Sequence, residues 1–250
     1  MKTKTFTLDN LRQRYEQRTL LAVADCTLST DLVGGVPASD EGLRMFAQHQ
    51  LGLKGKALEE AVTRIKAEEI ANRNLQTDED ELVEVSSLGI NLIRRDEHGP
   101  WLGDWMIKAC LKAAASRIGL FVQKRGSKGA MAEFGEVQAH GISLNGDPRH
   151  IYPRSPDGKK AAQTEFQHFR GSVSSPQGRR SIVNKSECVP AGSRFSFAFR
   201  CQNGALSTED LADVLACSMV IGLGSCKSFE RGKFSIQKLT IANQSKEVSQ

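Results

Sequence analysis

The sequence predicts an α+β fold: a sheet packed on two helices, interrupted by one helical insertion and one long basic hairpin. Stretches with an apolar residue at every second position alternate with stretches in which apolar residues recur every three or four positions, as in a helix. Residues 32–100, after the first strand, contain further apolar residues at helical spacing. Residues 149–185 carry eight basic and two acidic residues among many turn formers. With 39% apolar and 25% charged residues, the composition is that of an ordinary globular protein.

Four segments are predicted as strands of one sheet. In residues 19–29 an apolar side chain occupies every second position, at Leu20, Ala22, Ala24, Cys26 and Leu28, and the residues between them are polar toward the end of the segment. Residues 193–200 alternate most regularly, with Phe195, Phe197 and Phe199 on one face and Arg194 and Arg200 on the other. Residues 133–144 and 233–241 complete the set.

Two segments between these strands are predicted as helices. Residues 104–118 begin at Asp104, a suitable N-cap, and end before Gly119, a suitable C-cap. Residues 207–221 begin with Ser207 and Asp210 at capping-box spacing and end at Gly222. Within residues 32–100, helices are predicted from residue 39 or 40 to 51 and over 56–74, and a strand over 85–93.

With residues 32–100 set aside as an inserted accessory region, the order of elements is βαββαβ, the ferredoxin or RRM arrangement. Residues 1–31 and 101–250 then form the core, and residues 149–185 a protruding basic segment within it. One face of such a sheet is covered by both helices. The other is expected to be open, which suits single-stranded RNA.

Basic residues are concentrated in two places, which favours a polyanionic partner. Residues 108–128 contain no acidic residue, and Lys108 and Lys112 lie one helical turn apart. The candidate RNA-binding residues of the two stretches are Lys108, Lys112, Lys124, Arg125, Arg170, Arg179 and Arg180. The aromatic candidates for stacking on bases are Tyr152, Phe166 and Phe169, since they lie among basic residues and turn formers, whereas Trp101 and Trp105 are expected in the core.

A glycine loop, residues 222–234, joins the second core helix to the last strand. Glycine lets a backbone approach a phosphate closely, and lysine and arginine supply the positive charge. The candidates are Gly222, Gly224, Lys227, Arg231 and Lys233. The loop has neither the order of a Walker loop nor that of a dinucleotide fingerprint.

The glycine loop I-G-L-G-S-C-K-S-F-E-R-G-K-F, residues 221–234, resembles the hallmark of the RAMP superfamily of CRISPR proteins. The segments P-W-L-G-D-W-M-I-K, from residue 100, and V-P-A-G-S-R-F, from residue 189, are similar to the superfamily's helical backbone subunits, the seventh Cas family. The resemblance implies a subunit that repeats along a CRISPR guide RNA and contacts target nucleic acid, other copies of itself and other effector subunits. Residues 149–185 would be its thumb hairpin.

Three functions stay open from the sequence. The first is a non-catalytic RNA-binding subunit. The second is a RAMP-type endoribonuclease that processes guide RNA or cuts target RNA. Its candidate catalytic residues are His150 and His168 of the basic segment, or Asp31 and Asp40, which lie after the first strand, where the resemblance implies a catalytic aspartate. The third is a ferredoxin-like protein-interaction module.

Other classes of site and location have little support in the sequence. The six cysteines are far apart and show no zinc-ligand spacing, so neither a metal nor a cofactor is expected. Residues 1–18 are polar and no long apolar run follows, which predicts a cytoplasmic protein without a membrane partner.

Overall fold

The computed structural model describes residues 19–37, 43–45, 47–48, 52–72, 91–120, 134–175, 178–202, 207–225 and 230–243. Its strands are β1 (Thr19–Leu28), β2 (Leu32–Val33), β3 (Val36–Pro37), β4 (Asn91–Leu92), β5 (Arg95–Asp96), β6 (Gly99–Pro100), β7 (Leu102–Gly103), β8 (Phe134–Ala139), β9 (His150–Ile151), β10 (Glu165–Ser175), β11 (Gly178–Val189), β12 (Arg194–Gln202) and β13 (Phe234–Asn243). Its helices are α1 (Lys56–Asn72), α2 (Asp104–Arg117) and α3 (Thr208–Ile221), with a 3₁₀ turn at Gly141–Ser143.

The main sheet is antiparallel, with the strand order β13-β1-β12-β8. Along the chain, α2 lies between β1 and β8, and α3 lies between β12 and β13, so the core elements follow one another as strand, helix, strand, strand, helix, strand. The predicted alternation is confirmed, because Ala22, Ala24, Cys26 and Leu28 of β1 are all buried. They share one apolar core with the three phenylalanines of β12 and with α2 and α3.

The second face of the main sheet is less open than the sequence predicts. The strand predicted over 133–144 ends at Ala139 and turns into Gly141–Ser143. That turn lies over β12, where the hydroxyl of Ser143 accepts a hydrogen bond from the backbone N–H of Ser196 at 2.5 Å. Ser196 is therefore fully buried on the face that was expected to be exposed.

Helix α3 begins and ends as its sequence predicts, whereas α2 begins differently and ends at Arg117, with Ile118 as its C-cap in place of the predicted Gly119. In α3, Ser207 and Asp210 form the predicted capping box, and Gly222 follows at φ 77°. In α2, Gly103 is the N-cap and no side chain caps the helix. Asp104 is the first helical residue, and its carboxylate binds Lys108 Nζ at 2.7 Å instead.

A second sheet is built around a long hairpin, in the order β10-β11-β4-β3, with β2 also paired to β11. The hairpin runs from Glu165 opposite Cys188 to Ser175 opposite Gly178, and its ladder is continuous despite the turn formers in this part of the sequence. Residues 149–164 do not belong to the hairpin. They pack on the body of the protein, and Ile151 and Tyr152 are fully buried.

The segment after β1 contributes a helix and strands of the second sheet. The helix predicted over 56–74 is confirmed as α1, which packs Val62 and Ile65 against Leu43 and Ala47. Residues 43–45 and 47–48 are helical, while the rest of the helix predicted to residue 51, and the predicted strand before residue 91, lie outside the described residues. No helix in the described part of the chain is long and apolar enough to cross a membrane.

Candidate nucleic-acid interface

The glycine loop folds back on the segment that follows β1. Leu223 N–H donates to Gly232 O at 2.8 Å, which closes the loop, and Ser225 N–H donates to Val33 O at 3.1 Å. A Cβ at Gly232 would lie 1.9 Å from Leu223 O, and one at Gly224 would lie 2.6 Å from Val33 O. Gly222, Gly224 and Gly232 all have positive φ, so backbone packing alone already requires glycine in this loop.

A groove of about 250 Å³ opens between the glycine loop, the segment after β1 and the start of α2. Its wall after β1 is tied to the hairpin, because Gly34 N–H donates to Glu187 O of β11 at 2.8 Å. The groove residues are Leu32, Gly34, Gly35, Leu92, Ile93, Arg94, Trp101, Leu102, Gly103, Trp105, Met106, Ala109, Gly224 and Ser225. Arg94 carries the one charge among them, so the lining is apolar with a cationic side chain.

Both tryptophans of the chain line this groove. Trp101 is 6% exposed: the ring of His150 stacks on it at 3.6 Å, and the guanidinium of Arg94 lies 4.7 Å from its centroid. Trp105 is half-buried and stands edge-on to Trp101, with the ring planes at 87°. A Cβ at Gly103 would lie 2.1 Å from the six-membered ring of Trp105. The prediction that both tryptophans belong to the core is therefore met by Trp101 and only partly by Trp105.

Asp31 joins three segments beside the glycine loop. Its carboxylate accepts hydrogen bonds from Ala191 N–H at 2.9 Å, Gln167 Nε2 at 3.0 Å and Arg231 Nη1 at 2.7 Å. Partial burial opposes ionisation, but the hydrogen bonds from Ala191 and Gln167 and the charge of Arg231 lower the pKa of Asp31 below its usual value. The carboxylate is thus already engaged in holding the loop after β1, the hairpin and the glycine loop together.

Several predicted RNA-binding side chains have acidic partners. Arg231 binds Asp31 and lies 5.7 Å from the ring of Phe169, while Lys233 Nζ is 3.2 Å from Glu230 Oε1. Lys108 pairs with Asp104, whereas Lys112, one turn further along α2, is half-buried. These pairs reduce the net charge that Lys108, Arg231 and Lys233 would offer to a phosphate.

Other candidates lie outside what the structure describes. Asp40, Lys124, Arg125 and Lys227 lie outside the described residues. For three arginines the structure gives the strand position but no side chain: Arg170 is in β10, and Arg179 and Arg180 are in β11, opposite Ser174 and Val173. Their role in binding RNA stays a prediction.

The two candidate catalytic histidines lie in different sheets. His168 is exposed on β10, opposite Lys185, whereas His150 of β9 lines a pocket of about 260 Å³ with Asp96, Glu97, His98, Asp147 and Tyr152. His150 Nδ1 is 3.2 Å from Asp96 Oδ2, and Tyr152 Oη donates to the same oxygen at 2.7 Å. Asp96 was not predicted, since nothing in the sequence of residues 32–100 distinguishes it from other surface acids.

Tyr152 is not available to stack on a base, contrary to the sequence-based prediction. Its side chain is fully buried, and burial, followed by the hydrogen bond to Asp96, raises the pKa of its phenol. By contrast, Phe166 is 42% exposed at the base of the hairpin, with Lys185 Nζ 5.2 Å from its ring. Among the described residues, no three histidine, cysteine or acidic side chains are arranged to hold a metal ion.

Comparisons with known proteins give structural likenesses without a family assignment. No protein-family model matches the chain, and no curated protein matches its sequence. One similar solved structure is a type III-B Cmr-beta complex bound to cognate target RNA, with a TM-score of 0.41 and 14% identity over 93% of this chain and 64% of that chain. Another is Cmr6 from Pyrococcus furiosus, with a TM-score of 0.36 and 11% identity over 87% of this chain and 98% of that one. The present chain thus spans less than two thirds of the first.

Proposed function

We propose that this protein is an RNA-binding subunit of a CRISPR effector ribonucleoprotein, of the RAMP type, which holds guide RNA and does not cut it. The observation that carries the proposal is the groove beside the glycine loop, lined by glycine backbone, two tryptophans and one arginine. Such a lining suits a single-stranded nucleic acid, whose bases stack on aromatic rings while cations meet its phosphates.

The arrangement of the elements supports the same proposal. We take the main sheet with α2 and α3 as an RRM-like core, because its order of strands and helices is that of the ferredoxin arrangement. The glycine loop immediately precedes the last strand of this core, and the hairpin with its three arginines is bonded to one wall of the groove. The proposed partners are guide RNA, target nucleic acid and further effector subunits.

The proposal is tested by the salt dependence of RNA binding. Fluorescence anisotropy with labelled single-stranded RNA should show an affinity that falls steeply between about 50 and about 200 mM salt, because binding releases counterions from the phosphates. The double variant Lys112→Ala, Lys227→Ala should bind more weakly and lower the logarithmic salt slope by about 1.4.

A matched control uses two lysines at the start of α1 and just before it. Lys54 and Lys56 are exposed and lie outside the proposed interface, so Lys54→Ala with Lys56→Ala removes the same charge and should leave the slope unchanged. An equal loss in both double variants would show that only net charge matters. The absence of any salt-dependent RNA binding by the wild-type chain would instead favour the protein-interaction module.

A ribonuclease remains the second candidate, because of the contact between Asp96 and His150. A carboxylate that binds one ring nitrogen of a histidine fixes its orientation and leaves the other nitrogen to transfer a proton. Under our proposal, end-labelled RNA stays intact with wild-type protein. If the RNA is cut, and the cutting is lost in His150→Ala but kept in His168→Ala, the protein is a ribonuclease and our proposal of a non-catalytic subunit is wrong.

A further inference from the structure

The lining of the groove is mainly apolar, so it suits a nucleobase better than a phosphate. Apart from Arg94, its side chains are aliphatic, aromatic or hydroxyl groups. We infer that the groove holds one unpaired nucleobase of the bound RNA, with Trp105 as its stacking partner. This inference rests on the proposed function and identifies which part of the RNA occupies the site.

The groove is small and is lined partly by glycines. Glycines from three separate segments line it, so their walls are backbone without side chains. A Cβ at Gly35 would lie 2.6 Å from Ser225 Oγ of the adjacent glycine loop, whose Ser225 N–H donates to Val33 O, and a Cβ at Gly34 would lie 2.5 Å from the carbonyl of Leu92. These glycines therefore let the segment after β1 pack directly against both of its neighbours, and the groove beside them, with a volume of about 250 Å³, has room for one small group such as a base.

Of the two tryptophans, Trp105 is the more accessible to a ligand. Trp101 already stacks against His150 and lies under Arg94, which leaves it 6% exposed. Trp105 is half-buried, and its position is fixed by Gly103 and by edge-on contact with Trp101 at 5.8 Å. A ring held in this way loses little conformational freedom when a base stacks on it.

The charge of the groove matches the same occupant. Among the described residues that line it are a cation, Arg94, and no carboxylate, so the lining itself places no negative charge beside a bound base. Ser225 supplies a hydroxyl that both donates and accepts hydrogen bonds. Stacking with such sparse polar contacts holds any base, so we expect modest preference for base identity.

The two tryptophans give this inference a direct readout, because the chain has only these two and both line the groove. Titration of the wild-type chain with single-stranded RNA should quench tryptophan fluorescence, whereas an abasic backbone of the same length should not. The abasic strand should also bind about five- to a hundredfold more weakly in the anisotropy assay. In Trp101→Phe, the quenching should persist, since Trp105 is then the sole tryptophan.

Substitution of Trp105 provides the second measurement. Trp105→Ala should weaken binding by a similar factor, and Trp105→Phe should retain most of the affinity because it keeps an aromatic face. The comparison of normal and abasic strands uses wild-type protein, so it tests for the nucleobase site even if Trp105→Ala does not fold. Equal affinity and equal fluorescence for the two strands, with salt-dependent binding intact, would overturn the nucleobase site and leave the proposed function standing. If no RNA binds at all, both fail.

Discussion

At the scale of single residues, the glycine loop depends on close backbone contact. Alanine substitutions at two glycines separate the cost of losing this contact from the cost of a strained backbone. Gly232 and Gly119 both have positive φ, 72° and 77°, but a Cβ at Gly232 would lie 1.9 Å from Leu223 O, whereas a Cβ at Gly119 would meet nothing within 4 Å. Alanine at 119 should cost about 1 kcal/mol of unfolding free energy, for the strained backbone alone. Alanine at 232 should cost about 3 kcal/mol or more, because the loop must also open.

Urea unfolding of the two variants measures this difference. The RNA affinity of Gly232→Ala should fall as well, since Gly232 holds Leu223, which directly precedes the loop residues that line the groove, while Gly119→Ala should bind as the wild type does. Equal stability losses at both positions would mean that the loop does not pack against Leu223 as described.

At the scale of elements, the sequence predicted those parts whose pattern is local. Strands β1 and β12 have one face in the apolar core and an opposite face that is mostly half-buried, so an apolar residue at every second position reveals them, and the capping box reveals the start of α3. The small strands β2, β3 and β4 exist only because β11 and its neighbours offer partners, which no local pattern records.

The same reasoning explains the errors at the candidate site. Tyr152 lies among turn formers and basic residues, which is typical of an exposed loop, yet its side chain is buried because Asp96 supplies a partner for its hydroxyl. Asp31 and Arg231 are 200 positions apart in the chain, so their contact at 2.7 Å could not be predicted from spacing. The residue types in the glycine loop and the hairpin predicted an anion site. The apolar groove could be recognised only from the structure, because its lining comes from segments far apart in the sequence.

The hairpin permits a prediction about one whole element. Phe169 pairs with Asn184, so residues 170–183 can be replaced by an Asn-Gly turn between them without changing the register below. This removes Arg170, Arg179 and Arg180 and no acidic residue. We expect a folded protein whose logarithmic salt slope for RNA binding is lower by about 2.

A matched variant separates charge from shape. Replacing the three arginines by alanine in the full-length hairpin should lower the slope by the same amount if the hairpin acts through charge. A truncated hairpin that binds far more weakly than the triple-alanine variant would indicate direct contacts by the rest of its outer part. An unchanged slope in both variants would remove the hairpin from the RNA interface.

At the scale of the whole molecule, a subunit that repeats along guide RNA should bind in numbers set by the length of the strand. A single-stranded site on a small module takes about 4 to 16 nucleotides, so strands of about 20, 40 and 60 nucleotides should hold copies in proportion to their length. Mass photometry of the complexes counts the copies directly. The Lys112→Ala, Lys227→Ala variant should reach the same numbers only at higher protein concentration, since it weakens each contact with RNA and leaves the size of the site unchanged. One copy on every strand, whatever its length, would contradict repetition, because a repeating subunit occupies each free stretch of backbone that is long enough for it.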